Sequence, residues 1–478
     1  MKDPFLLISG WGYAAAVVVL LVTVFYRKRE PAEKLAWSLA IVFLPFLGAL
    51  LFVVFGLASV PRRVRRRVER IGSFRASVSF RPGAAAGGAV GYPEGTWRGI
   101  LGKALEAMGE GPRREGNATK LYTRGLPVAT DVEKAVEAAK HHVHIEFYIF
   151  RDDRLGRRFV DLLIGKIREG VQVRVIVDGI GSYAGWKLLK KLRAAGGKAA
   201  SFRPLFSVEH LSPNFRNHRK IVISDGRVAF FGGMNVGEEY LGREGAVRRE
   251  WYDLHMRVEG PAVWDLQRIF LEDWSFATRE HLDDPAFSPE LEAAGDSPVQ
   301  IIAGGPDVDV NPIRFACLRA FSQARRRLLV ASPYIVPDMS LRDALAAAAL
   351  SGVEVDIVTQ GYPPDHVLPY ACSLYFAEEL LESGVRFHSY RPGMMHAKVI
   401  SVDGEWAMVG TANLDNRSMF LNFEQMAILD GPRDVEAIDE QFRRLIQASD
   451  PIRLEGLRSR SAFERFFVAS AHLLAPLL

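Results

Sequence analysis

Two cysteines, Cys317 and Cys372, are all that 478 residues contain, and no spacing pairs them. That excludes a disulfide framework and a thiolate zinc site, and it fits a reducing compartment. Basic charge is also scarce outside one region. Residues 1–70 hold eleven Lys or Arg against four Asp or Glu, a surplus larger than the +5 of the whole chain. The remainder is therefore slightly acidic and is not a general nucleic-acid binder. With 49% hydrophobic and 24% charged residues, wholesale disorder is excluded too, and the length suits two or three domains.

What is present begins with two uncharged runs. Residues 4–26, PFLLISGWGYAAAVVVLLVTVFY, would span roughly 34 Å as a helix, enough for a bilayer core. After the polar loop RKREPAEK, residues 35–58 are again uncharged, with Pro45 and Gly48 at mid-segment, where a kink or a shallow re-entrant hairpin would form. The first run is too long for a signal peptide, and a second follows directly, so the pattern predicts an uncleaved transmembrane hairpin over 1–70. Six arginines follow it, Arg62, Arg63, Arg65, Arg66, Arg67 and Arg70, against four basic residues in the intervening loop. The heavier side stays cytoplasmic, which places the large C-terminal part on the cytoplasmic side of the membrane. The same arginines would gather an anionic membrane surface. Residues 71–118, rich in Gly and Ala, read as a linker with one short helix near 97–109.

Beyond the linker a pattern occurs twice. HHVHIEFYIF, RRFVDLLIGKIREG and VQVRVIVDG read as strand, amphipathic helix and buried strand. RRLLVASPYIV, LRDALAAAALSG and VEVDIVTQG repeat that order, with Tyr148 matching Tyr334 and Gly170 matching Gly352. Two tandem α/β domains follow, 119–290 and 291–478, each with a largely parallel or mixed sheet covered by helices.

Each half also carries one polar set. HRKIVISDGRVAFFGGMN runs from His218 to Asn235, and HAKVISVDGEWAMVGTAN from His396 to Asn413. Both fit H-x-K-x4-D-x6-G-[GT]-x-N. On a strand His218 and Lys220 share a face, and Asp225-Gly226 reads as a two-residue hairpin turn pairing Ser224 with Arg227. The chain then returns to bring Asn235 beside His218, and Asp403-Gly404 does the same for Asn413 and His396. Lys220, Lys398, Asn235, Asn413 and backbone N–H groups at 232–233 and 410–411 suit an anionic phosphate. Imidazole serves as nucleophile or as acid and base. Two facing copies supply what phosphodiester chemistry needs: one histidine attacks phosphorus, and the other protonates the departing oxygen. No acidic cluster accompanies them, so neither metal nor cofactor is required.

These residues resemble the phospholipase D superfamily, and more narrowly its bacterial cardiolipin synthases. The resemblance rests on NFRNHRK at 214–220, GGMNVGEEYLG at 232–242, WYDLHMRVEGPAV at 251–263, MMHAKVISVDG at 394–404 and GTANLDNRS at 410–418. It implies two phospholipase D-like domains about a pseudo-twofold axis and a phosphohistidine intermediate. The catalytic set would be His218, Lys220, Asp225, His396, Lys398 and Asp403. Asp253 and Glu424 would each orient the histidine of its own half through the distal ring nitrogen. Glu424 follows its histidine by 28 residues and Asp253 by 35, so the first half carries an insertion, GREGAVRRE; Gly233 stands where a serine hydroxyl is usual. The implied reaction joins two phosphatidylglycerol molecules into cardiolipin and releases glycerol, with His218 as nucleophile and His396 as acid and base.

Several alternatives stay open. A phospholipase D hydrolase or a transferase with another alcohol acceptor fits the same residues; a nuclease and an inactive membrane scaffold fit less well. A homo-oligomer is compatible with the chain. His142 and His144 read as part of a satisfied sheet edge more readily than as metal ligands. Glu146 and Tyr148 continue their face and would hold a glycerol hydroxyl. LFSVEHLSPNFRN at 205–217 is either a packed surface loop or one that dips into a membrane. FERFFVASAHLLAPLL at the C-terminal end reads as a core-docked helix rather than an interfacial one.

Overall fold

A computed structural model describes residues 4–26, 31–44, 46–52, 91–93, 95–202, 215–242 and 251–478. The arginines at 62–70, most of the linker, the loop at 203–214 and the insertion at 243–250 lie outside the described residues. The chain divides into two units, 1–66 with 205–215, and 67–204 with 216–478.

In the first unit, α1 (Pro4–Tyr26) is one uncharged helix, followed by α2 (Pro31–Phe43) and α3 (Leu47–Leu51). The uncharged run that begins at Leu35 breaks near Pro45, where the sequence places a kink. Phe46 takes φ of 62°, a left-handed conformation foreign to a helix interior, and the sequence places Pro45 just before it. Side chains of α1 are described only from Ala14 onward, and among the described residues no helix is long and apolar enough to cross a membrane. Val24, Ile41 and Phe52 pack together, while Val18, Val19, Val22, Phe25 and Phe43 face outward.

The second unit starts with α4 (Trp97–Ala107) and then the first half of the repeat. Its strands are β1 (Arg114–Tyr122), β2 (His142–Phe147), β3 (Gln172–Asp178), β4 (Lys198–Phe202), β5 (Arg216–Asn217), β6 (Ile221–Ser224), β7 (Val228–Gly232), β8 (Trp251–Tyr252) and β9 (His255–Glu259). Four helices cover them: α5 (Gly125–Ala138), α6 (Arg154–Arg168), α7 (Trp186–Ala194) and α8 (Val263–Thr278). The second half brings β10 (Ser297–Gly304), β11 (Arg327–Ala331), β12 (Ile335–Val336), β13 (Glu354–Gln360), β14 (Arg386–Tyr390), β15 (Met394–Met395), β16 (Val399–Val402), β17 (Trp406–Gly410), β18 (Leu414–Asp415), β19 (Asn422–Leu429) and β20 (Ser449–Ile452). Its helices are α9 (Pro312–Gln323), α10 (Met339–Leu350), α11 (Val367–Glu382), α12 (Asn416–Phe420), α13 (Pro432–Gln447), α14 (Leu454–Arg458) and α15 (Ala462–His472).

The two halves repeat their local chemistry. Asp153 caps α6 by accepting from Gly156 N, and Asp338 caps α10 by accepting from Ser340 N and Leu341 N. Gly170 and Gly352 follow those helices with φ of 91° and 89°, which only glycine adopts without strain. β3 and β13 are apolar runs buried on both faces, so each sits inside a sheet between parallel neighbours. One mixed sheet results, in the order β20-β14-β13-β11-β16-β17-β19-β10-β1-β9-β7-β6-β2-β3-β4. β1 and β10 pair antiparallel and join the halves.

Two expectations change here. β2 is no sheet edge but lies between β3 and β6, with His142 and His144 fully buried and the His144 ring stacked on Phe270 of α8 at 4.4 Å. Among the described residues no group of His, Cys, Asp or Glu could hold a metal. Likewise α15 is not simply docked. Ala471 packs with Ala371, Cys372 and Phe376 of α11, but Phe463 and Phe466 point away and are 77% and 71% exposed.

Candidate active site

Both polar sets form hairpins, β6–β7 and β16–β17. The ladder pairs Ser224 with Val228 and Val402 with Trp406, so each loop holds three residues rather than the two expected. Asp225 and Asp403 adopt positive φ, 52° and 57°, conformations that Asp tolerates because its side chain can bond locally. The Asp225 carboxylate accepts from the backbone N–H of Lys140, His141 and His142 at 2.7–2.8 Å. The Asp403 carboxylate accepts from those of Arg325, Arg326 and Arg327 at 2.8–3.0 Å. These aspartates therefore tie the hairpin turns to the preceding strands. The structure does not bring them to the histidines, against the expectation that they belong to the catalytic set.

At the other end of each hairpin the two halves interlock. Asn217 and Phe423 pair as β5 runs parallel to β19, and His218 N donates to Phe423 O at 2.9 Å. Met395 pairs with Tyr252 as β15 runs parallel to β8, and His396 N donates to Tyr252 O at 2.8 Å. Each histidine is thus seated on a strand of the opposite half. His218 Nδ1 lies 2.9 Å from Glu424, and His396 Nδ1 lies 2.7 Å from Asp253. The carboxylates orient the histidines through the expected ring nitrogen, but across the seam. The pairing within each half is corrected: His218 goes with Glu424, and His396 with Asp253.

This geometry sets the tautomers. A carboxylate on Nδ1 holds the proton there and leaves each Nε2 lone pair available. Burial pushes His218 down to about 4, against the pull of Glu424, so its imidazole is neutral. His396 is also lowered, by burial and then by Lys398. Burial alone would raise Glu424, yet His218 and Lys220 outweigh it and hold the carboxyl below its ordinary value. Lys220 and Lys398 are fully buried, and burial brings them down to about 7 and about 8. Each donates to the carbonyl of its own histidine, Lys220 Nζ to His218 O at 2.5 Å and Lys398 Nζ to His396 O. An ammonium has three donors, so others remain.

His218, His396, Asn235 and Asn413 line one cavity of about 400 Å³ together with Tyr148, Arg216, Tyr240, Trp251, Tyr334 and Arg417. Aromatic edges confine the imidazoles: Tyr148 stands 5.1 Å from the His218 ring, and Trp251 stands 5.1 Å from His396. Asn235 donates to Tyr240 OH, and Asn413 donates to Asp415. The backbone N–H groups expected to cradle phosphate are already used. Those of Gly233, Gly410 and Thr411 donate to Leu254 O, Lys398 O and Gln425 O. A side chain at 233 would strike the Asp253 carboxylate, since a Cβ there comes 2.0 Å from Oδ1. At the matching position the Thr411 hydroxyl instead bonds the backbone of Gln425, donating to its carbonyl and accepting from its N–H. Glycine at 233 thus leaves room for the Asp253 carboxylate.

Glu146 is not in the cavity. It is fully buried, accepts from Asn217, and is pushed well above the ordinary carboxyl value by burial and by Asp273. Its expected role on a glycerol hydroxyl is withdrawn, while Tyr148 does reach the cavity. Sequence reasoning did not single out Arg216, Trp251, Tyr240 or Arg417. All four stand inside the quoted motifs, but nothing in residue order announces which face they take.

Comparison with known proteins agrees with this arrangement. The family model described as "Cardiolipin synthase, PLD-like domain" matches residues 132–274 and 317–446, more than half the chain. The chain belongs to the phospholipase D-like cardiolipin synthases. A second model, "Phospholipase_D-nuclease N-terminal", matches residues 14–56. Cardiolipin synthase 1 of Bacillus cereus is 34% identical, covering 98% of this chain and 93% of that protein. The cardiolipin synthase of Alkalihalophilus pseudofirmus is 36% identical with the same coverage. Among solved structures, the phosphatidylserine synthase of Haemophilus influenzae shares the fold at a TM-score of 0.61 and 15% identity, over 79% of this chain and 100% of that one. In this chain the interlocked pairs His218–Glu424 and His396–Asp253 give each imidazole its orientation from the other half.

Proposed function

We propose that the protein joins two phosphatidylglycerol molecules into cardiolipin with release of glycerol. The observation that carries this reading is the convergence of two imidazoles on one cavity, each tethered by a carboxylate and each with a buried lysine on its backbone carbonyl. His218 Nε2 attacks the phosphorus of the first lipid, and the bond to its glycerol breaks as His396 delivers a proton to that oxygen. A phosphohistidine results. A hydroxyl of the second lipid then gives its proton to His396 and attacks phosphorus, and the P–N bond breaks. Lys220, Lys398, Asn235 and Asn413 offset charge on the phosphoryl oxygens, in a site where preorganised donors act most strongly. Bound phosphate raises the proton affinity of His396 and the lysines, which is what the acid step needs.

The halves, 119–290 and 291–478, are two phospholipase D-like domains about a pseudo-twofold axis; the reciprocal strand exchange and the two stretches matched by the family model support this. The N-terminal segment anchors the chain in the bacterial inner membrane, its arginines at 62–70 gathering anionic lipid on the cytoplasmic side. Its long uncharged helix α1 and the match to the second family model support that reading. The decisive experiment supplies the purified full chain with phosphatidylglycerol alone and resolves products by mass. Equimolar cardiolipin and glycerol are expected. Phosphatidic acid as the main product would make the chain a hydrolase instead.

A further inference from the structure

One wall of the cavity carries a charge that the chemistry at the reacting phosphorus does not use. Arg216 stands two residues before His218 on the same extended stretch. Side chains two apart share a face, about 6–7 Å from one another along the strand. Asn217, between them, turns the other way to Glu146, and both Arg216 and His218 line the cavity. Arg216 is only 5% exposed, yet its Nε and Nη1 have no hydrogen-bond partner. Its nearest carboxylate is Asp178, with Nη1 to Oδ1 at 3.5 Å. That carboxylate is already taken: Oδ1 accepts from Ile180 N and Gly181 N, and Oδ2 from Asn217 N. Asp178 therefore steers the guanidinium without satisfying it. Arg417 at the start of α12 lines the same wall, its Nη1 donating to Leu477 O at 3.1 Å. A buried cation with unpartnered donors facing a cavity is a built site for an anion.

We infer that Arg216, flanked by Arg417, binds the phosphate of the acceptor lipid while its hydroxyl is presented to the phosphohistidine. The inference rests on the proposed reaction and adds to it. The acceptor phosphodiester is joined to the attacking hydroxyl through three carbons, so it must settle close to, but not on, the reacting phosphorus. The lysines and asparagines surround that phosphorus, and a second buried anion needs its own countercharge. A fork of donors one strand repeat from His218 meets this requirement, and it selects a phosphate-bearing alcohol over water or a neutral one.

Two reactions of the same chain separate the roles. Labelled free glycerol exchanging into phosphatidylglycerol reports the donor half-reaction, because the departing glycerol must be able to return. Cardiolipin formation needs the acceptor phosphate as well. Arg216→Gln is expected to lower cardiolipin formation at least about tenfold while glycerol exchange stays within about threefold, with partial recovery in Arg216→Lys. Parallel loss of both reactions, or loss of neither, overturns the assignment. Should Arg216→Gln not fold, the unmodified chain still decides: glycerol phosphate must outcompete glycerol as acceptor at least about tenfold, and equal use of the two refutes the subsite. If the unmodified chain exchanges glycerol but makes no cardiolipin, the proposed function fails, and that result is distinct from a failure of the subsite.

Discussion

Glu424 holds His218 and Asp253 holds His396, so amide substitutions of the two carboxylates have different consequences. In Glu424→Gln the amide presents the wrong hydrogen-bonding partner to Nδ1 of the attacking ring. Phosphohistidine formation should then fall by about 10²–10⁴-fold. In Asp253→Asn the first step needs only a poorer acid, while the second needs His396 as base, so phosphoenzyme labelled at His218 should accumulate. Rapid quench with labelled phosphatidylglycerol measures both, and accumulation in Glu424→Gln but not Asp253→Asn would reverse the assignment of nucleophile. The lysines predict a pH effect of definite sign. With Lys220 at about 7 and Lys398 at about 8 in the free enzyme, both are charged below pH 7 and lose protons as pH rises. Binding an anion then requires proton uptake, so KM should climb between pH 7 and 9, by up to about tenfold per unit for each lysine above its pKa. His218, pushed down to about 4, is neutral throughout that range and adds no limb of its own. A KM flat from pH 6 to 9 would show that neither lysine meets the phosphate.

At the level of the hairpin, the motif aspartates are turn residues with three backbone donors each. Asp225→Ala removes those bonds and places alanine at φ of 52°. A loss of about 3 kcal/mol is expected, seen as a drop of several degrees in Tm, with kcat per folded molecule within about twofold. A large fall in kcat at unchanged Tm would restore Asp225 to the chemistry. The hairpins and the buried runs β3 and β13 are legible in residue order because each depends on neighbours within a few positions. The His and Lys of each set were legible for the same reason, since period 2 puts them on one face. The crossed carboxylates were not. Residue order makes Asp253 the natural partner of His218, whereas the chain exchanges β5 and β15 between halves, and no local pattern encodes which remote strand a two-residue segment joins. The one-residue difference in loop length has a similar origin: Asp-Gly signals the turn, but the ladder around it decides how many residues the loop contains.

For the molecule as a whole, a lipid substrate poses a delivery problem that the fold addresses on one side. Tyr375 of α11 stacks on His472 of α15 at 3.9 Å, fixing that helix against the second half. The face of α15 turned away from α11 carries Phe463, Phe466 and Phe467, and Leu473 just beyond the helix is 80% exposed. Just past it, Leu478 lines the catalytic cavity, and Val367 and Leu368, beside the cavity residues His366 and Pro369, are exposed as well. An aromatic face of this kind, continuous in sequence with a residue of the cavity wall, suits the headgroup boundary of a bilayer, where each buried ring gains from leaving water. Its value should appear only when substrate sits in a bilayer. Phe463→Glu with Phe466→Glu is expected to cut cardiolipin formation about tenfold in reconstituted vesicles and to leave activity on detergent-dispersed phosphatidylglycerol within about twofold. Both forms carry the same N-terminal segment, so the difference isolates how the cavity meets the lipid surface. Equal rates of variant and parent in vesicles would mean that α15 faces water during turnover, and that lipid reaches His218 and His396 by another side of the cavity.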